Sequence, residues 1–284
     1  MPNSNSIVCA KHVLAIRSEL RRTMSRCFWS REIATLATQI WVGILLLSAG
    51  ALGNAQTCTG SAMTTITGTV YAPNGIDPLP QVLVYVPGEP VAPFTNGVAC
   101  DGSAQLVTGS PIASAITAVD GSFTLVNVPS GTNIPLVIQI GRWRRQVVIP
   151  SVTACVNTAV QASLTHFPTS QAEGDIPKVA LVTGSADGLE CVLRKIGIAD
   201  SEFTDPIGSG RINIYLGAGS PGAAIDANTP SEAQLEGTQS SLNQYNQVMF
   251  ACQGGQYDPS SAFQSNLIVY ANAKEAAGLP IEPT

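Results

Sequence analysis

The stretch from residue 66 to residue 129 constrains the fold of this chain more than any other part. It begins with ITGTVYAPNGIDPLPQVLVYV and ends with TAVDGSFTLVNVP. In both pieces apolar side chains alternate with small or polar ones, and Pro, Asn-Gly or Asp-Gly interrupts the alternation. The alternation is typical of half-buried antiparallel strands, and the dipeptides are typical of tight turns. The stretch therefore predicts a β-sheet domain.

The composition agrees with a turn-rich β protein outside the cytoplasm. The chain has 284 residues, of which 45% are hydrophobic and 12% are charged, with 26 Gly and 19 Pro. This length has room for one or two domains. A disordered chain combines low hydrophobicity with high net charge, so the composition excludes disorder as the general state.

An uncharged apolar run, Ile33 to Leu52, follows the basic segment SRCFWSR and precedes small residues. A basic stretch, an apolar stretch and a small-residue cleavage site are the three parts of a secretory signal peptide. We predict a signal peptide over residues 1–55, with Gly53 and Ala55 before a cut at Gln56. The alternative is an uncleaved membrane anchor, since about 20 apolar residues can span a bilayer. Either way, the location is secreted, periplasmic or cell surface.

Residues 56–284 are acidic. They keep 8 of the 14 basic and 17 of the 19 acidic residues, a formal net charge of −9. Proteins that bind nucleic acid neutralise phosphates with basic surfaces, so the sequence predicts no nucleic-acid partner. Contact with a membrane is expected only through the N-terminal segment, if it is uncleaved.

The pieces GTVYAPNG, PLPQVLVYV and TAVDGSFTLVNVPSGT resemble, in order, the carboxypeptidase regulatory-like module, a transthyretin-like β-sandwich. The resemblance covers residues 64–165, and we place this domain at 56–165. It implies a structural or binding module in which Phe123 fills the space between two sheets. The long insertion between Val86 and Ile116 departs from the family pattern.

The family name does not imply a peptidase here. Zinc peptidases bind the metal through His and acidic ligands, and His166 is the one histidine that follows the leader. Asp77, Asp101 and Asp120 are scattered among turns and lack the dense oxygen ligands of a calcium loop. The sequence therefore predicts no catalytic, cofactor-binding or metal-binding residue.

The segment GRWRR, at residues 141–145, has two interpretations. One is an exposed binding tip made of Arg142, Trp143, Arg144 and Arg145. The other is an ordinary hairpin end, in which the arginines are solvated and the tryptophan packs back on the sheet.

A second domain is predicted at residues 178–284, after a linker at residues 166–177. Short apolar strands (KVALVT, RINIYL and QVMFA) alternate with helices predicted at 188–196, 231–243 and 259–271. This alternation favours a parallel sheet covered by helices. The piece YNQVMFACQGGQY resembles the strand and glycine loop of glutamine-amidotransferase-like and flavodoxin-like domains.

In the resembled family this glycine loop supplies backbone donors, and the nucleophile comes from a later strand. Cys252 follows a predicted strand, but no histidine follows it as a base. The loop GSADG, at residues 184–188, lacks both dinucleotide and P-loop patterns. Three predicted strands form a small sheet with little cover, so we also predict that the α/β domain is truncated.

Five cysteines follow the leader, and disulfides are expected after export. We predict one bridge inside the first domain, between Cys100 and Cys155, with Cys58 as the rival partner. A bridge between Cys191 and Cys252 is a weaker hypothesis.

These observations predict an exported, non-enzymatic envelope or extracellular protein with a β-sandwich binding or structural module. Its expected partner is a protein or carbohydrate at the cell surface. One alternative is the N-terminal part of a hydrolase or amidotransferase-like enzyme whose catalytic residues lie beyond residue 284. The other is a membrane-anchored surface component.

Overall fold

The computed structural model describes Cys58 and residues 63–98 and 107–275, and two facing sheets form the first part of this region. One sheet has the strand order β4-β1-β7 and the other β3-β2-β5-β6. The strands are β1 (Thr65–Thr69), β2 (Leu83–Pro87), β3 (Pro111–Ile116), β4 (Ser122–Val126), β5 (Gly131–Ile140), β6 (Trp143–Val152) and β7 (Asn157–Ala159). A short 3-10 helix follows at Ala162–Leu164.

Both sheets bury one face in a shared core, as the alternating pattern predicts. Ile66, Leu125, Leu136 and Ile138 are fully buried there, together with Phe123. Strand β1 pairs antiparallel with β4, so that Gly68 lies opposite Phe123. A Cβ atom at Gly68 would lie 2.9 Å from the phenyl ring. The glycine therefore makes room for the aromatic ring that fills the core.

The predicted β-sandwich is confirmed, whereas its membership in the transthyretin-like family stays a prediction. Gly75 and Gly121 adopt positive φ angles of 69° and 75° in the predicted Asn-Gly and Asp-Gly turns. The strand predicted at 115–119 lies earlier, at Pro111–Ile116, because it pairs along β2 with a bulge beside Pro87. Strand β7 was not predicted, since three residues are too few to show a period.

The second part is a parallel sheet with the strand order β11-β8-β10-β9. Its strands are β8 (Val179–Thr183), β9 (Phe203–Thr204), β10 (Ile212–Leu216) and β11 (Gln247–Phe250). Its helices are α1 (Leu189–Lys195), α2 (Glu232–Glu236), α3 (Gln239–Asn243) and α4 (Ser261–Glu275), with a 3-10 turn at Asp200–Glu202. The helix predicted at 231–243 is divided at Gly237, and Thr238 caps α3 by accepting from the Ser241 amide at 3.2 Å.

The parallel sheet is covered on both faces. Ala180, Val182 and Tyr215 pack with Leu235 and Leu242 of the helices. On the opposite face, the apolar cluster Val179, Leu181, Ile212 and Ile214 packs with Ile198 and Phe203, and Trp143 of the sandwich contacts it. All five residues of β8 are buried. The prediction that the central strands lack cover is therefore wrong for the described residues, while truncation of the domain stays a prediction.

Residues 166–177, predicted as a linker, pack against the sandwich. Phe167 is buried, and Arg144 and Asp175 exchange two backbone hydrogen bonds at 3.0 and 2.8 Å. The described residues from 63 onward belong to one compact unit. The domain limits themselves stay predictions.

Cys155 is bonded to Cys58, with a Cα–Cα distance of 5.5 Å. The predicted bridge between Cys100 and Cys155 is therefore wrong, and Cys58, the rival partner, forms the bridge instead. The reason is the parallel pairing of β1 with β7, which places Thr65 beside Asn157 and so brings the segments before both strands together. Cys191 and Cys252 are free thiols.

Two predictions concern residues outside the described ranges: the leader at residues 1–55 and the position of Cys100. Within the part of the chain that is described, no helix has both the length and the apolar character to cross a bilayer.

Candidate functional site

Of the four residues of the predicted binding tip, Arg144 is buried and Arg142, Trp143 and Arg145 are partly exposed. Trp143 packs on Phe167 with ring centroids 5.7 Å apart, as the hairpin interpretation predicts. Arg145 donates to the His166 carbonyl at 3.1 Å. Arg144 is buried, so its predicted solvation is wrong. These side chains stabilise the junction of the two sheets, and Arg142 and Arg144 also line cavities described below.

Arg144 is held by three groups. It forms an ion pair with Asp175 at 2.8 Å and donates to the Ala92 carbonyl at 3.0 Å. Its guanidinium carbon lies 4.0 Å from the ring centroid of Phe94. Residues 88–98 of the long insertion thus fold over Arg144. We call residues 88–98 the strap.

The strap connects the sandwich to the parallel sheet. On the sandwich side, Arg142 donates to the Thr95 carbonyl at 2.6 Å. On the other side, the Val98 amide donates to the Asn243 carbonyl at 2.9 Å, and Asn246 donates to the Gly97 carbonyl at 2.8 Å. The inserted segment therefore has a structural role that the family resemblance did not predict.

Three adjoining cavities lie beneath and beside the strap, with volumes of about 180, 460 and 390 Å³. Asn96 and Arg211 line both the first and the second cavity, whereas Gln171, Gly174 and Asp175 line both the first and the third. We call these three cavities together the junction groove. It opens at the amino-terminal ends of the parallel strands, where Lys178 and Arg211 precede β8 and β10.

The first two cavities of the groove carry three cationic side chains: Arg142, Lys178 and Arg211. Arg144, which is paired with Asp175, lines the third cavity. Burial lowers the pKa of Arg211; the carboxylates of Glu202 and Asp175 oppose this shift and the charge of Arg142 adds to it. Burial also lowers the pKa of Lys178, and the charge of Arg211 adds to that effect. Arg211 is thus near enough to both Arg142 and Lys178 for their charges to repel its own.

Amide side chains complete the lining. Gln171 is engaged, because its side chain donates to Glu202 at 2.9 Å and to the Ser209 carbonyl at 2.8 Å. Asn96 and Gln244 make no side-chain hydrogen bond to another described residue. The groove therefore presents fixed positive charge beside amide groups that are open to a ligand.

The opposite, carboxyl-terminal edge of the parallel sheet is filled by protein. Ligands of doubly wound folds bind at this edge, beside the strand where the order reverses. Here the Gln253 amide donates to Glu232 at 2.7 Å, and its carbonyl accepts from the Gly219 amide. Asp187 accepts from the Cys252 backbone amide at 3.2 Å. The crevice between these loops thus holds the Gln253 side chain.

A buried carboxylate pair lies under this edge. Glu232 and Glu236 are 2% and 6% exposed, and the Tyr257 hydroxyl donates to Glu236 at 2.6 Å. Burial raises the pKa of Glu236; the bond from Tyr257 opposes this shift and Glu232 adds to it. The sequence did not indicate this pair, since glutamates four apart usually lie on a solvated helix face. Among the described residues, no cluster of three or more metal-binding side chains is present.

Comparison with known proteins places the chain in no family. No protein-family model and no curated protein matches it. One solved structure with a likeness is a mutant type II cohesin–X-dockerin complex from Acetivibrio cellulolyticus, at 18% identity over 48% of this chain and 85% of that chain, with a TM-score of 0.26.

A second likeness is the dioxygenase domain of a dioxygenase carbohydrate-binding protein fusion from Streptomyces sp. SirexAA-E. It has 15% identity over 56% of this chain and 80% of that chain, with a TM-score of 0.17. These TM-scores do not establish a shared fold.

Proposed function

We propose that this protein is an exported, non-enzymatic binding protein whose junction groove takes a ligand outside the cytoplasm. The observation that carries the proposal is the convergence of Arg142, Lys178 and Arg211 with two open amides in one groove. Binding sites are concave and contain a few polar groups that packing holds in place. The strap and the parallel sheet provide that packing.

Two further observations support export. The apolar run before Gln56 has the parts of a signal peptide, and Cys58 is bonded to Cys155. Disulfides persist in oxidising compartments. Export is tested by sequencing the N-terminus of the exported protein, which we expect to begin at Gln56. Retention of the whole chain in the membrane fraction would favour the anchored alternative.

Binding is tested by probing glycan and peptide arrays with the full chain and two variants. Asn96→Trp places a large side chain where the first and second cavities meet. The matched control is Ser114→Trp, on an exposed position of β3 away from the groove. We expect the wild type and the control to bind the same array elements, and the groove variant to lose them. Binding that Asn96→Trp leaves unchanged would overturn the proposed site.

A further inference from the structure

We propose that the junction groove binds an acidic carbohydrate, a uronic-acid oligosaccharide whose carboxylates contact Lys178 and Arg211. This inference rests on the proposed function and names the class of ligand. It is carried by the placement of the cations, by the open amides beside them and by the charge of the surrounding surface.

Lys178 and Arg211 form no ion pair with another described residue. The ion pairs between described residues join Arg144 to Asp175 and Arg194 to Asp200. Neither Lys178 nor Arg211 has a carboxylate within ion-pair distance among those residues. Arg211 uses its Nε to donate to the Ile176 carbonyl at 2.7 Å, which leaves the two terminal nitrogens of the guanidinium for a ligand. A guanidinium fork of this kind suits a carboxylate.

Lys178 is placed by its neighbours. Its ammonium nitrogen lies 5.1 Å from the ring centroid of Tyr245, and its backbone amide donates to Asn246 at 2.8 Å. The ring attracts the cation without neutralising it. Lys178 and Arg211 both line the second cavity, whose volume of about 460 Å³ lies in the range of small-ligand sites.

The remaining lining suits hydroxyl groups. Asn96 and Gln244 line the same cavity as the two cations, beside the backbone of Gly208 and Gly210. An amide both donates and accepts hydrogen bonds, as a sugar hydroxyl does. A ligand with carboxylates and several hydroxyls therefore uses both kinds of group in this cavity.

The surrounding charge favours spaced carboxylates over a dense polyanion. Glu173 and Asp175 line the third cavity, and residues 56–284 have a formal net charge of −9. The carboxylates of Glu173 and Asp175 would repel the closely spaced phosphates or sulfates of such a polyanion. A uronic-acid chain carries one charge per sugar, so the uncharged part of each sugar ring can lie beside the acidic side chains without repulsion. The charge of Arg142 lowers the pKa of Arg211, and the charge of Arg211 lowers the pKa of Lys178. A carboxylate beside Lys178 and Arg211 relieves this repulsion.

The test is isothermal titration calorimetry of the full chain with trigalacturonic acid and with its neutral counterpart, galactotriose. We expect the acidic trisaccharide to bind at least about tenfold more tightly, with an affinity that falls as salt is added because ions screen the contacts. Lys178→Gln should weaken binding about tenfold. Lys195→Gln removes the same charge from an exposed position on α1 and should leave the affinity unchanged. Circular dichroism confirms that both variants fold.

Three results would overturn the inference: equal affinity for the acidic and neutral sugars, equal affinity of the two lysine variants, or tighter binding of a heparin disaccharide than of trigalacturonic acid. These results are distinct from failure of the proposed function. If a neutral sugar or a peptide binds and Asn96→Trp abolishes its binding, the groove is the site and the acidic class is wrong. If no array element depends on Asn96, both proposals fail.

Discussion

Arg144 and Asp175 form an ion pair whose two partners differ in exposure. The Arg144 side chain is 6% exposed and the Asp175 side chain is 42% exposed, with 2.8 Å between nitrogen and oxygen. The pair Arg194–Asp200 has the same distance but exposures of 49% and 82%. A buried charge that loses its partner is costly, whereas an exposed pair contributes little. Because the two ion pairs have the same nitrogen–oxygen distance, a difference between their contributions to stability reports the effect of burial.

Asp175→Ala should lower the free energy of unfolding by about 2 kcal/mol, a value between those of exposed and buried pairs. The reason is that Arg144 stays buried without its counter-charge. Asp200→Ala is the control and should cost less than about 1 kcal/mol. Urea unfolding measures both losses, and equal losses would contradict the account of the junction.

The buried Glu236 makes stability depend on pH. Because burial raises its pKa above the ordinary 4.5, the folded protein holds this proton more tightly than the unfolded chain. The contribution of the protonated group is fully present below pH 4.5 and is lost as the pH rises through the raised pKa. Glu236→Gln cannot lose a proton.

We therefore expect Glu236→Gln to melt at a higher temperature than the wild type at pH 8, with a difference that shrinks toward pH 4. Thermal unfolding followed by circular dichroism at both pH values measures this difference. A melting temperature that the substitution lowers at pH 8, or changes equally at both pH values, would show that Glu236 is ionised in the folded protein.

At the scale of elements, the disulfide and the strap tie distant segments together. The bridge joins the segments that precede β1 and β7, across 97 residues. The Cys155 amide also donates to the Thr64 hydroxyl at 2.8 Å. The strap connects the β5–β6 hairpin to α3 and β11. The disulfide and the strap thus each connect elements that are far apart in the sequence.

Cys155→Ser should lower the free energy of unfolding by about 4 kcal/mol, because a bridge that closes a loop of this length restricts the unfolded chain. Chemical denaturation under non-reducing conditions measures the loss. Cys252→Ser is the matched control, since Cys252 is a free thiol, and should change stability little. If reduction of the wild type leaves its stability unchanged, the bridge has no stabilising role.

At the scale of the molecule, the groove exists because the sandwich and the parallel sheet pack on each other. Trp143 packs at the edge of the sandwich core and also against the apolar cluster on the parallel sheet. The groove residues come from the strap, the hairpin, the segment 171–177 and the starts of two parallel strands. A loss of this packing would separate those segments.

Trp143→Ala should cost about 3 kcal/mol, the loss expected when a large aromatic side chain is removed from a packed site. Calorimetry of the wild type should show one unfolding transition, since both parts share Trp143. Trp143→Phe retains a ring and should recover most of the loss. Two separate transitions in the wild type would contradict the shared packing.

The sequence indicates the local elements well because alternation and turn dipeptides act within a few residues. The half-buried strands around Phe123, and the alternation of strands with helices after residue 178, are of this kind. Features set by pairing between distant segments were not predictable. The parallel pairing of β1 with β7 determines which cysteine bonds to Cys155. The spacing of apolar residues along the sequence does not reveal this pairing.

The junction groove was missed for the same reason. Asn96, Lys178 and Arg211 are far apart in sequence and show no common spacing. GRWRR did attract attention as a cluster of charge, but its arginines are partners of the strap and of the 166–177 segment. The strap did give a signal, because a long insertion in a compact sandwich that contains apolar residues such as Phe94 needs a surface to pack on.

Mapping a ligand on the protein shows whether the junction groove is the binding site. Amide nitrogen–proton spectra of the full chain are recorded during a titration with trigalacturonic acid. We expect shifts at the backbone amides of Asn96, Gly97, Gly210 and Arg211, which line the groove. Shifts confined to the loops around Ser185 and Gln253, at the other edge of the parallel sheet, would contradict it.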